Sequence, residues 1–127
     1  MAKGLIRQSA AAVRTQFFNI DNGAGVTVDE PVLYANVPLR LLRIYGLYGE
    51  ATQTVAAANF KVGASAGGAD YVAATAYENS KAVGTETLAA LLTDVVPANT
   101  AVFVRHTGVA VTQTGTATIV IEYVYDE

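Results

Sequence analysis

Residues 116–125 read Thr-Ala-Thr-Ile-Val-Ile-Glu-Tyr-Val-Tyr. In an extended chain successive side chains point to opposite faces, so Ala117, Ile119, Ile121, Tyr123 and Tyr125 share one face. Thr116, Thr118, Val120, Glu122 and Val124 share the other. The first face is apolar throughout, and the second carries hydroxyls and a carboxylate. Branched Thr, Ile and Val lose side-chain freedom in a helix and suit a pleated, half-buried surface. The segment is therefore a strand with one packed face and one wetter face.

The same reading carries back along the chain. Ala101–Thr107 is a second strand, delivered by Val96-Pro97-Ala98-Asn99-Thr100, a turn in which Pro97 fixes one torsion and Asn99 tolerates a left-handed backbone. Leu39–Tyr48 is apolar on both faces, with Leu39, Leu41, Tyr45 and Leu47 against Leu42, Ile44 and Tyr48, which predicts a central strand covered on two sides. Arg40 and Arg43 within it then require acidic partners or a place at the strand's ends. Pro38 marks the boundary before it. Further strands are expected over Val13–Ile20, Val26–Ala35 interrupted by Pro31, Val55–Gly63 and Asp70–Tyr77. In Thr87–Val96, Leu88, Leu91, Leu92 and Val95 have helical spacing, but the threonine and valines favour strand, and strand is the reading. The loops Asp21–Gly25, Ala64–Ala69 and Asn79–Gly84 read as turns or mobile tips. About eight strand segments separated by turn residues predict an all-β, antiparallel sandwich or barrel.

The chain of 127 residues has room for one such domain. Hydrophobic residues make up 52% of it and charged residues only 15%, against about 25% in an ordinary globular chain. So little charge leaves less solvated surface than a monomer carries, which points to an exterior covered by other subunits. With no cysteine, neither a disulfide framework nor a thiolate zinc site is available, and stability rests on packing. Its longest apolar runs are a few residues, far below the roughly 20 that a membrane-spanning helix needs.

Charge is unevenly distributed. Lys3, Arg7 and Arg14 stand in the first twenty residues without an acid, while residues 21–127 hold five bases and eleven acids, so the start is +3 and the remainder −6. The start lacks the continuous apolar core of a targeting peptide and is read as an arm over residues 1–12, with the sandwich over residues 13–127. Its three bases are either ordinary solvated charges or contacts to an acidic neighbour.

Catalytic patterns are missing. His106, the single histidine, has no Ser, Asp or Glu at a spacing that would orient it as a proton carrier, and reads as a structural or surface residue. Asp21-Asn22-Gly23 lacks the downstream ligands of a calcium loop and reads as a type I′ turn. Neither Gly23-Ala24-Gly25 nor Gly63–Gly68 has the glycine or Lys-Ser/Thr offsets of a phosphate-binding loop. A net charge of −3 argues against a nucleic-acid partner. No cofactor, metal or enzymatic activity is expected. Tyr45, Tyr48, Tyr71, Tyr77, Tyr123 and Tyr125 are candidates for a sugar-stacking platform. However, the pairs Tyr45/Tyr48 and Tyr123/Tyr125 lie inside apolar strands, where core or subunit-interface packing accounts for them.

Four stretches in order, Val-Pro-Leu-Arg-Leu-Leu-Arg-Ile (37–44), Ala-Asn-Phe-Lys-Val-Gly (58–63), Gly-Gly-Ala-Asp-Tyr-Val (67–72) and Gly-Thr-Ala-Thr-Ile-Val-Ile-Glu-Tyr (115–123), give residues 37–125 a pattern that resembles small virion proteins of tailed bacteriophages. The resemblance implies a jelly-roll or related β-sandwich, commonly trimeric, bound to the outside of the major capsid lattice as a cement or decoration protein. It brings no catalytic residue. On this reading the partners are the major capsid protein and further copies of the chain, with neither membrane nor nucleic acid. Lys3, Arg7 and Arg14 are the expected capsid contacts, and Tyr45, Tyr48, Tyr123 and Tyr125 the expected subunit interface. A tail or head-to-tail junction component shares the expected fold and composition, and a glycan-binding sandwich is the alternative from another class.

Overall fold

The computed structural model describes residues 12–21, 27–48, 59–76, 83–107 and 116–126. Over these residues the chain forms nine strands: β1 (Arg14–Asp21), β2 (Thr27–Ala35), β3 (Leu39–Tyr48), β4 (Asn59–Gly63), β5 (Val72–Ala76), β6 (Glu86–Leu88), β7 (Val95–Val96), β8 (Thr100–Thr107) and β9 (Thr116–Tyr125). One sheet has the order β1-β9-β3-β6, with β7 also on β3; the other has the order β2-β8-β4-β5. Every pairing is antiparallel. The chain alternates between the sheets except at the β4–β5 and β6–β7 steps, and this order is that of a jelly roll. All-β architecture and the sandwich are as the alternating patterns predict.

The core lies between the sheets. From the β9 sheet come Leu39, Leu41, Ile44, Val96, Ala117, Ile119, Ile121 and Tyr123; from the β8 sheet come Ala35, Phe60, Val62, Val72, Val102 and Val104. Each fully buried Ile, Leu, Val or Phe contributes roughly 1.5–3 kcal/mol. The inward face of β9 is the one its sequence predicts, with Ala117, Ile119, Ile121 and Tyr123 buried. The Pro97–Asn99 turn is also as expected: Asn99 has φ 59° and its N–H donates to the Ala35 carbonyl at 2.6 Å.

Strand β3 departs from its predicted faces. Its register against β9 shifts between Leu41 and Arg43, so Leu42 is an extra residue and the alternation changes phase there. Leu39, Leu41 and Ile44 turn inward, while Arg40, Arg43, Tyr45 and Leu47 are placed outward. The outer side of β3 therefore is not the second covered face that its composition suggests. A similar shift on β2, between Pro31 and Leu33, lets proline sit in an edge strand where its missing N–H costs no ladder bond.

Thr87–Val96 is only partly strand. Glu86–Leu88 pairs with Tyr45–Leu47 and Val95–Val96 with Leu39–Arg40, two pieces of one edge position that together bring the count to the expected eight. Between them the backbone bonds irregularly: the Ala89 N–H donates to the Ile44 carbonyl at 2.9 Å, the Leu92 N–H to Tyr71 at 2.8 Å, and Asp94 accepts from the Leu41 N–H at 2.6 Å. Asn22 and Gly23 of the expected type I′ turn, residues 55–58 of the expected Val55–Gly63 strand and residues 79–82 of the Asn79–Gly84 loop lie outside the described residues.

His106 is fully buried on the inward side of β8, opposite Val28 and Phe60. It is a structural histidine, and burial pushes its pKa from 6.5 down to about 4. The unfolded chain binds the proton first, so between about pH 6.5 and pH 4 the folded state holds fewer protons than the unfolded state. Stability present above pH 6.5 is lost as pH falls through this window, by about 3 kcal/mol in all. Urea unfolding at a series of pH values is expected to show this loss in the native chain, and His106→Leu is expected to flatten it relative to the native curve.

Candidate functional site

The outer face of the β9 sheet carries an aligned row of apolar and aromatic side chains that is exposed at its two ends. Phe17 on β1 pairs with Val120 on β9, Val120 pairs with Tyr45 on β3, and Tyr45 pairs with Leu88 on β6. Residues paired across antiparallel strands point to the same side, so these four form one row across the sheet, about 14 Å long at the usual strand spacing. Phe17 is 60% exposed and Leu88 62%, Tyr45 is half-buried, and Val120 between Phe17 and Tyr45 is 1% exposed. The row thus has two protruding ends and a filled centre. Val95 and Leu42 are further exposed apolar residues of the same sheet.

A charged cluster lies across and beside the row. Arg43 reaches Glu86 and Glu122, each at 3.3 Å, and its guanidinium lies 4.4 Å from the centre of the Tyr45 ring. Arg40 reaches Asp94 at 3.6 Å and Asp126 at 3.4 Å. The two arginines therefore find the acidic partners their apolar strand demands. Two arginines face four carboxylates, so the cluster keeps a surplus of two negative charges. Two exposed apolar ends beside a charged cluster make this face a candidate protein–protein contact.

The outer face of the β8 sheet is different. Arg105 on β8 donates from Nε (3.1 Å) and Nη2 (2.7 Å) to Asp29 Oδ2 on β2, and Asp29 Oδ1 accepts the Gly67 N–H at 3.2 Å. The β4–β5 turn is tied down further by Asp70, whose Oδ2 accepts the Ala64 N–H at 2.8 Å, and by the Gly68 N–H to the Ser65 carbonyl at 2.9 Å. Its approach is close enough that a Cβ on Gly63 would fall 2.4 Å from the Gly68 carbonyl carbon. Ala64–Ala69, read from composition as a turn or mobile tip, is a turn pinned by two carboxylates and a guanidinium.

The described candidate contact residues do not converge. Lys3 and Arg7 lie outside the described residues. Arg14 is exposed at the start of β1, its guanidinium 4.6 Å from the Tyr125 ring centre. Tyr123 is 7% exposed and belongs to the chain's own core, where burial raises its hydroxyl pKa. Tyr125 is partly buried against that core and meets Tyr123 edge to face at 6.2 Å. Tyr48 pairs with Ala117 at the far end of β3. Of the four tyrosines, Tyr45 is the one set in the outer row. Phe17, Val120 and Leu88 escaped the sequence reading, because only the strand register brings them beside Tyr45. Among the described residues, no three His, Asp or Glu side chains converge to hold a metal ion.

No protein-family model and no curated protein sequence matches the chain. Among solved structures, a chain of the cyanophage Pam1 capsid asymmetric unit is similar at 21% identity with a TM-score of 0.54, over 90% of this chain and 85% of that chain. This likeness establishes a shared fold over nearly the full length of both chains. A chain of infectious bursal disease virus, Gx strain, is more distant, at 14% identity and a TM-score of 0.41, and the match takes in 32% of its length. The infectious bursal disease virus VP2 subviral particle gives 10% identity and a TM-score of 0.36 over 33% of that chain.

The pinned turn has a direct test. Gly67 has φ +71°, and a Cβ there would stand 2.9 Å from Arg105 Cζ. Gly67→Ala is expected to destabilise the fold by about 1–3 kcal/mol, through backbone strain and displacement of the guanidinium from Asp29. Chemical denaturation of the two proteins measures the difference.

Proposed function

We propose that the chain is a structural virion protein that decorates the outside of a tailed-phage capsid, with three copies bridging major capsid proteins as cement. The observation that carries this reading is a jelly roll that shares its fold, over 90% of this chain and 85% of that chain, with a chain of the cyanophage Pam1 capsid, and that presents exposed Phe17 and Leu88 on one outer face. The two matched chains are similar in length, so the sandwich makes up most of each. Cementing asks for complementary surface and stable packing and for no bond-making step. Apolar area removed from water at around 25 cal/mol/Å² resists the outward load on the shell.

The charge pattern supports the same reading. The acidic sandwich disfavours direct contact with nucleic acid, and the basic start of the chain, with Lys3 and Arg7 in the arm and Arg14 at the first residue of β1, suits an acidic protein neighbour. A jelly roll also leaves short strand edges that a neighbouring subunit covers without rearrangement.

Light scattering on the purified chain is expected to give three times the 13.2 kDa chain mass, and the protein is expected to co-sediment with capsids that lack it. A monomer that stays in the supernatant would overturn the proposal.

A further inference from the structure

We infer that the outer edge of β1 pairs with β1 of a second copy of this chain, antiparallel and centred on Phe17, so that two β9 sheets join into one across a two-fold axis. The inference stands beside the capsid reading and does not depend on it.

An unpaired strand edge offers its N–H and C=O groups to any other strand, and soluble proteins guard such edges with prolines, bulges, lysines or very short strands. The sandwich has four edge positions, and over the described residues three of them are guarded. β6 and β7 are three and two residues long, with irregular chain between them. β5 has five residues, and its pairing with β4 shifts register between Phe60 and Val62. β2 carries Pro31 and a register shift beside it. β1 has none of these guards. Its eight residues pair with β9 in unbroken register from Arg14 to Asp21, without a proline or a lysine, and its charges stand only at its first and last positions. Beside this edge Phe17 is 60% exposed. A regular, unguarded edge next to an exposed aromatic ring is a surface suited to strand pairing.

The strand complements itself. A two-fold axis perpendicular to the sheet keeps both outer faces on one side, so residues paired across it are both outward or both inward. Thr15, Phe17 and Asn19, opposite Glu122, Val120 and Thr118, are outward and exposed. Centring the axis on Phe17 sets the two Phe17 rings against each other and Thr15 of each copy opposite Asn19 of the other, and cross-strand aromatic pairs and hydroxyl hydrogen bonds favour pairing. Asn19 already has a threonine on its other flank, where the Thr118 hydroxyl donates to its Oδ1 at 2.8 Å, and its amide nitrogen supplies donors for a second hydroxyl. Antiparallel pairing also brings the Arg14 end of one strand to the Asp21 end of the other, which keeps like charges apart. A stable protein–protein interface buries about 1,200–2,000 Å² in all, and one strand edge with a single aromatic pair supplies less. The contact is therefore weak between free copies and forms where copies are held side by side, joining one three-copy cluster to the next.

The chain contains no cysteine, so introduced cysteines report the pairing. Paired residues of antiparallel strands have Cα atoms about 4.5–5.5 Å apart, a distance that a disulfide spans. Under mild oxidation, full-length Phe17→Cys is expected to give disulfide-linked dimers about tenfold more abundant than Leu88→Cys or Tyr34→Cys, which are similarly exposed on other edges. A mixture of Thr15→Cys and Asn19→Cys is expected to link, whereas Asn19→Cys alone, roughly 13 Å along the strand from its counterpart in this register, is not. Adding Phe17→Lys to both members of the mixture sets like charges at the axis and is expected to return linking to the control level without moving the urea midpoint. Phe17→Cys linking no better than the controls, as it would with the chain's own arm over β1, would overturn the inference. Asn19→Cys linking alone as strongly as the mixture would overturn it too. Capsid co-sedimentation of the native chain is scored separately: linked copies that ignore capsids would uphold the β1 pair and remove the cement reading, and capsid binding without the link would do the reverse.

Discussion

Strand β9 is hydrogen-bonded on both flanks, to β1 and to β3, and its two-residue period decides what faces inward and what faces out for the whole sheet. Ala117, Ile119, Ile121 and Tyr123 go to the core, so Val120 and Glu122 take the opposite face of the sheet, where Val120 is covered to 1% exposure by its neighbours. Once Val120 is outside, register places Phe17 and Tyr45 beside it, and Tyr45 places Leu88. A slip of one residue would exchange the faces, exposing two isoleucines and burying a glutamate. The exterior row is thus a consequence of the same alternation that builds the interior.

The bulge at Leu42 adapts β3 to this constraint. Were Leu42 paired in the ladder like its neighbours, with no bulge, Arg43 would share the inward face with Leu39 and Leu41, and a guanidinium would stand where Ile44 now packs. With it, both arginines reach the exterior and their carboxylates. Exposed pairs of this kind contribute little to stability one by one. Together they leave this face with more carboxylates than arginines, a net negative charge beside the exposed Phe17 and Leu88.

Much of the fold was legible in the residues. Thr116–Tyr125 and Leu39–Tyr48 have the bounds that their composition suggests, and Pro97–Asn99 turns as those residue types require. These signals are local, carried by neighbours in sequence. The bulge was not legible, because an extra leucine in an apolar run changes no composition and appears only against a partner strand. Nor was the break between β6 and β7, where backbone bonds to Ile44, Tyr71 and Leu41 override the strand preference of the intervening residues. The candidate surface was the least legible part. The tyrosines were grouped by type and by strand, but Tyr123 fills its own subunit's core and Tyr45 faces out; Phe17 and Val120 are neighbours only through a pairing across a hundred residues of chain.

A jelly roll that works as part of a virion exterior is seen most directly as density on the shell. Electron cryomicroscopy of capsids with and without the bound protein is expected to show three jelly rolls around each occupied three-fold position on the outside of the shell. Difference density confined to a six-fold or twelve-fold ring at the tail vertex, or no ordered difference density on the shell, would contradict the account.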